Sequence, residues 1–131
     1  MFLGLRTVIY HAPDLAKAKA WYAAAFGVAP YFDEPFYVGF DIGGFELGLV
    51  PDVSGVNVGN NAVAYWGVAD IEEAHGHLLD RGAEPRQPVK DVGGDIKVAT
   101  VADPFGNVIG LIQNPHFQGQ RVSVPTGAGP V

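Results

Sequence analysis

The stretch Ala102-Asp103-Pro104-Phe105-Gly106-Asn107-Val108-Ile109-Gly110-Leu111-Ile112-Gln113-Asn114-Pro115 decides how the rest of the chain is read. Its first half has turn chemistry: Pro104 presets φ, Gly106 permits a positive φ, and Asp103 and Asn107 carry side chains that bond nearby backbone. Val108 to Ile112 is apolar and rich in β-branched residues, and Asn114-Pro115 stops it. The pattern is a hairpin entering a buried strand.

Working outward from it, one order of elements occurs twice. Leu5 to Tyr10 is β-prone, and Asp14 caps an apolar periodicity (Leu15, Ala18, Tyr22, Ala25) that predicts a helix to Phe26, closed by Gly27. Strands are expected over Val28 to Asp33, Phe36 to Ile42 and Phe45 to Val50, the last two joined by Gly43-Gly44, a two-residue hairpin signal. After the polar, aperiodic Pro51 to Asn61 the pattern restarts. Ala62 to Val68 reads as a strand, and Asp70 caps a helix to Arg81 with the stripe Ile71, Ala74 and Leu78, ended by Gly82. A strand near Pro88 to Val92, a Gly93-Gly94-Asp95 turn, a strand over Ile96 to Ala102 and the closing hairpin complete the second copy.

The duplication is visible in letters. Asp14-Leu15-Ala16-Lys17-Ala18 parallels Asp70-Ile71-Glu72-Glu73-Ala74, and Leu47-Gly48-Leu49-Val50 parallels Ile109-Gly110-Leu111-Ile112. The expected fold is therefore α+β: two tandem βαβββ modules whose curved mixed sheets surround a cleft. A single domain, 1–131, is divided into module one (about 3–51), a linker (52–61), module two (about 62–115) and a C-terminal tail (116–131).

Composition narrows the function classes. At 48% apolar and 17% charged, 131 residues suffice for one core. A formal charge of −6 disfavours nucleic acid and anionic membranes as partners. The absence of cysteine removes disulfides, thiolate metal sites and a cysteine nucleophile. Met1 to Arg6 has neither the basic nor the long apolar region of a signal peptide, and no apolar run reaches transmembrane length, so a cytoplasmic protein is expected.

Asp14-Leu15 followed by Trp21-Tyr22 and Phe26-Gly27, together with Asp103-Pro104-Phe105-Gly106-Asn107, resembles the vicinal oxygen chelate superfamily over about residues 5–115. That superfamily contains glyoxalase I, bleomycin-resistance proteins, fosfomycin-resistance enzymes and extradiol dioxygenases. The resemblance implies a divalent metal held by His, Glu or Gln on the first and last strands of each module. Carried over by spacing, those positions are Thr7, Val63, Glu46 or Gly48, and Gly110, where a carboxylate is the family's choice. One carboxylate at most makes a poor metal site, so no cofactor is expected, with a divalent metal left open. His75 and His77 are about 200° apart around a helix and cannot share an ion. His77 is expected to pair with Glu73, and His116 to be solvated.

Period-two alternation sorts the strands. Thr7, Ile9 and His11 are placed on the cleft face, with Tyr65 and Gly67, and with Glu46, Gly48, Val108, Gly110 and Ile112. Glycines 48, 67 and 110 are expected to leave room for a flat ligand. The candidate ligand-binding residues are Thr7, Ile9, His11, Glu46, Gly48, Tyr65 and Gly110, with no metal ligand. Glu46, in a dry cleft, would have a raised pKa and act as a general base.

Three functions remain open. The first is metal-independent binding of a small planar or aromatic molecule, of the bleomycin-resistance type; the second is a glyoxalase-like lyase or isomerase with Glu46 as base, with or without a divalent metal. A structural or regulatory dimer is the third. Members of this family commonly dimerise, so a homodimer is expected, and the tail with its β-prone Arg121-Val122-Ser123-Val124 is a candidate for the interface.

Overall fold

Two four-stranded mixed sheets, each with a helix packed on one face, make up the structure, a computed structural model describing residues 1, 3–56 and 62–117. The described residues up to Ser54 form one compact unit and those from Gly55 a second. The C-terminal tail segment read as β-prone, Arg121 to Val124, lies outside the described residues.

In the first unit the order is β1 (Thr7–His11), α1 (Leu15–Phe26), β2 (Phe32–Glu34), β3 (Tyr37–Ile42) and β4 (Phe45–Val50), with spatial order β1-β4-β3-β2. Asp14 caps α1 by accepting from Lys17 N at 3.1 Å. Gly27 ends it in the left-handed region, donating to Ala23 O at 2.9 Å, a conformation that suits a residue without Cβ. One face of the sheet, with Tyr10, Val38, Phe40, Leu47 and Leu49, is buried with Ala18, Tyr22 and Ala25 of α1. The Tyr10 and Tyr22 rings lie 5.7 Å apart in that core. The Gly43-Gly44 turn has φ of 60° and 91°, the two positive values a tight hairpin demands. Its sharpness sets the β3–β4 register, Ile42 opposite Phe45 and Gly39 opposite Gly48.

The second unit repeats the plan with β5 (Tyr65–Gly67), α2 (Ile71–Asp80), β6 (Glu84–Asp91), β7 (Lys97–Ala102) and β8 (Val108–Gln113), ordered β5-β8-β7-β6. Asp70 caps α2 through Glu73 N at 3.2 Å, and Gln113 Oε1 accepts from Ile71 N at 2.9 Å, tying β8 to an otherwise unpaired helical N–H.

Three strands differ from their expected bounds by more than two residues: β5 covers only Tyr65–Gly67 of the expected Ala62 to Val68, and β2 and β6 differ at their starts. β2 begins at Phe32 rather than Val28, because Pro30 has no N–H for the ladder. β6 runs earlier and longer than Pro88 to Val92. It is an edge strand, where Pro85 and Pro88 are tolerated, and its pairing with β7 shifts register between Pro85 and Lys90.

The turn that opens β8 is organised by one carboxylate. Asp103 is 3% exposed and accepts from Phe105 N at 2.8 Å, Asn107 N at 2.7 Å and Asn107 Nδ2 at 2.7 Å. Burial of a charged group is sustained only by such donors. Asp103→Ala is expected to destabilise the protein by about 3 kcal/mol, the range for losing a buried, multiply bonded carboxylate, read as a lower midpoint in chemical denaturation. A loss below about 0.5 kcal/mol, typical of an ordinary surface substitution, would contradict this role.

Candidate functional site

The solvent-side face of the first unit's sheet follows from strand alternation and register. Thr7, Glu46 and Asp41 form one row across β1, β4 and β3, and Ile9, Gly48 and Gly39 form the next. Tyr37 shares this face, two residues before Gly39. Tyr31 joins from just before β2, where its N–H donates to Gly39 O at 2.9 Å.

Gly39 and Gly48 make a floor on which rings lie. A Cβ at Gly39 would stand 3.0 Å from Tyr31 Cε1 and 2.9 Å from Glu46 Oε2, and one at Gly48 would stand 2.7 Å from Tyr37 Cζ and 2.8 Å from Ile9 Cδ1. Side chains do not pack this closely. The space above Gly48 is thus taken by Tyr37 and Ile9, which corrects the expectation that it is left for a ligand.

Three hydroxyls converge on Glu46. Thr7 Oγ1 donates to Oε1 at 2.8 Å, the Tyr31 hydroxyl donates to Oε2, and the Tyr37 hydroxyl also bonds the carboxylate. Burial pushes the Glu46 pKa up, but the combined donors outweigh it and hold the carboxyl below its ordinary value. The direction is opposite to that expected from a dry cleft. The tyrosines move the other way: burial first, then the bond to Glu46, pushes Tyr37 up to about 12. Tyr31 is raised chiefly by its bond to Glu46. Beside them, Tyr31, Asp41, Gly44, Phe45 and Glu46 line an open hollow of about 130 Å³.

His11 is not brought to this cluster. It lies opposite Val50, four residues along β4 from Glu46 or roughly 13 Å, and its Nδ1 donates to Asp52 O at 3.0 Å. In the second unit, Tyr65 pairs with Gly110 and lays its ring on it: a Cβ there would be 2.6 Å from Tyr65 Cδ1 and 2.8 Å from Ala64 O. Here too the glycine's space is filled by a tyrosine, which is 46% exposed. Of the three glycines expected to leave room, Gly67 alone does so, with nothing within 4 Å of where a Cβ would stand.

Tyr31, Tyr37, Gly39 and Asp41 belong to the cluster although strand alternation around Glu46 does not single them out. The Gly43-Gly44 hairpin carries the signal for the last three, since its register puts Asp41 opposite Glu46 and Gly39 opposite Gly48. Tyr31, outside any strand, has no such signal.

The family model of the Glyoxalase/Bleomycin resistance protein/Dioxygenase superfamily matches residues 4–111. The chain belongs to that superfamily. Among solved structures, it is similar to a glyoxalase-related enzyme from Fulvimarina pelagi, at 21% identity and TM-score 0.72 over 99% of this chain and 96% of that one. The fosfomycin resistance protein FosX from Listeria monocytogenes, solved with Mn(II) and sulfate, aligns at 17% identity and TM-score 0.73 over 87% of this chain and 92% of its own. TioX from Micromonospora sp. ML1 aligns at 17% identity and TM-score 0.66 over 85% and 98%. These likenesses establish the shared fold. No functionally curated protein matches the sequence.

The residues at the inherited metal positions do not fit a divalent ion. Val63 has no donor atom, Thr7 gives its hydroxyl to Glu46, and a side chain at Gly110 would collide with Tyr65. Gly48, rather than Glu46, is the counterpart of Gly110: each lies on the strand between the parallel and antiparallel neighbours, opposite Ile9 and Gly39 in one unit and Tyr65 and Thr100 in the other. Among the described residues no three His, Asp or Glu side chains are grouped to hold a metal.

A folded pKa raised from 10 to about 12 means that Tyr37's contribution to stability is fully present below pH 10 and is lost as pH rises towards 12. In an ultraviolet tyrosinate titration one tyrosine is expected to ionise near pH 12. In Glu46→Gln that midpoint should fall towards 10 without reaching it, because burial is the larger cause. A tyrosinate titration unchanged in Glu46→Gln would contradict the cluster.

Proposed function

We propose that this protein binds a small planar or aromatic organic molecule without a metal ion, as a member of the superfamily of the bleomycin-resistance type. The observation that carries the reading is the Glu46 carboxylate, held charged by three hydroxyls beside a hollow bordered by Tyr31. A carboxylate so engaged has its lone pairs directed at protein donors instead of an ion. Tyr31, 63% exposed, sits over Gly39 beside Glu46 and offers a ring on which a planar ligand stacks, with Thr7, Ile9 and Gly48 on the same face of the sheet. Within the second unit, Tyr65 over Gly110 is proposed as a ligand-facing ring of its own, and in the first unit His11 is a polar group at the far end of β1.

The competing reading, a lyase or isomerase with Glu46 as base, is weakened by the lowered pKa: a carboxylate that resists protonation is a poorer proton acceptor. The working molecule is taken to be a homodimer in the cytoplasm, because superfamily members are often dimers. No described helix is long and apolar enough to cross a membrane.

A thermal-shift screen, with EDTA in the organic-ligand arm and without it in the metal arm, tests the reading. A planar aromatic ligand at about 100 times its Kd should stabilise the protein by about 2.7 kcal/mol, on the order of 10 °C in Tm. Divalent ions alone should give no shift. Stabilisation by a metal alone, abolished by EDTA, would overturn metal independence.

A further inference from the structure

Of the three hydroxyls on Glu46, two are built into the sheet and one is not. Thr7 belongs to β1 and Tyr37 to β3, where the Tyr37 ring stands over Gly48 beside Ile9. Tyr31 lies outside any strand and is largely exposed. Its backbone is pinned by the N–H donated to Gly39 O at 2.9 Å, so the ring can turn about its own side-chain bonds while the chain stays in place. The ring is held down by its hydroxyl on Glu46 Oε2, over the bare backbone of Gly39. An open hollow of about 130 Å³, bordered by Tyr31 and Glu46, gives a ligand access to that bond from solvent.

We propose that the Tyr31 side chain occupies the seat of a phenolic ligand: the ligand's ring takes its place on Gly39 and donates its hydroxyl to Glu46 Oε2, while the lifted Tyr31 ring stacks on the ligand's outer face. The inference rests on the small-molecule reading above and names the class of ligand. The seat already holds a phenol, the chain's own, so its floor and its acceptor fit that group. The exchange conserves hydrogen bonds. Glu46 gives up one phenol donor and receives another, and the released Tyr31 hydroxyl is met by water at an exposed position. An aromatic molecule without a hydroxyl leaves Oε2 short of its donor, and a site built around a hydrogen bond discriminates against such an analogue. The bond from Tyr31 to Glu46 is thus a latch that a donor-bearing ring opens without net loss of hydrogen bonds. Tyr37 is no such latch, because its ring is seated between Ile9 and the backbone of Gly48.

The test is an NMR-detected titration of the full chain, native and Tyr31→Phe, with p-cresol, which is the tyrosine side chain's own analogue, and with 4-methylanisole, which has no hydroxyl to donate. Tyr31→Phe keeps a ring to stack and removes the competing hydroxyl. It should bind p-cresol about tenfold tighter than the native protein does, the size expected for one hydrogen bond to a charged group. In that variant 4-methylanisole should bind at least about tenfold more weakly than p-cresol, and its affinity should be the same in both proteins. Adding Gly39→Ala, whose Cβ would fill the floor, should remove the gain. In the native chain, bound p-cresol should show nuclear Overhauser contacts to the Gly39 α-protons that Tyr31 otherwise covers. Equal or weaker binding of p-cresol to Tyr31→Phe, equal binding of the two ligands, or no contact with Gly39 would overturn the assignment, while stabilisation by another planar aromatic in the thermal screen would leave the small-molecule reading in place. Stabilisation in that screen by a divalent metal alone would instead remove the reading itself.

Discussion

Gly39 and Gly48 face each other across β3 and β4, and the absence of two side chains at that point governs the site. Only a bare backbone lets the Tyr31 and Tyr37 rings come down onto the sheet, as the 3.0 Å and 2.7 Å distances to built Cβ positions require. Rings seated there bring their hydroxyls to Glu46, one rung away, and the carboxylate then keeps its charge despite partial burial. Local geometry, ionisation and ligand chemistry follow from one glycine pair. The tight Gly43-Gly44 turn holds that pair in register, so the chain of cause begins at the hairpin.

The same device is built differently in the second unit. There Gly110 is covered by Tyr65 from the parallel neighbour β5, whereas Gly48 is covered by Tyr37 from the antiparallel strand β3. Duplication preserved the glycine on the central strand and let the covering ring come from either side. At this rung both copies carry a glycine with a tyrosine against it, which leaves no side chain there to hold a metal. This is why belonging to the family and lacking a fitting metal donor set are compatible.

Much of the fold is legible in the chain. Asp14, Asp70 and Asp103 are short acids placed before runs of regular structure, and each accepts the backbone N–H that its position predicts. β4 has the bounds its alternation implies, and Gly27 and Gly43-Gly44 take the positive φ values that their roles require. Strand ends near prolines are less legible, because pairing at an edge depends on which donors happen to meet a partner. Of the site, Thr7, Ile9, Glu46 and Gly48 share a face as alternation dictates. What periodicity does not supply is what stands above a glycine. An empty Cβ position reads equally as space for a ligand or as a seat for a ring, and Tyr31 reaches its seat from an irregular segment whose direction no periodicity records. The sign of the Glu46 shift is hidden for the same reason, since its donors come from three different segments.

The central claim is that Glu46 is a fixed anion made by converging hydroxyls, and its own titration tests this most directly. A carboxyl-detected carbon NMR titration of the side chain should give a midpoint below the ordinary 4.5, moving upward when Tyr31 is replaced by Phe. A midpoint at or above 4.5 in the native protein would contradict the account and return Glu46 to the role of a proton acceptor.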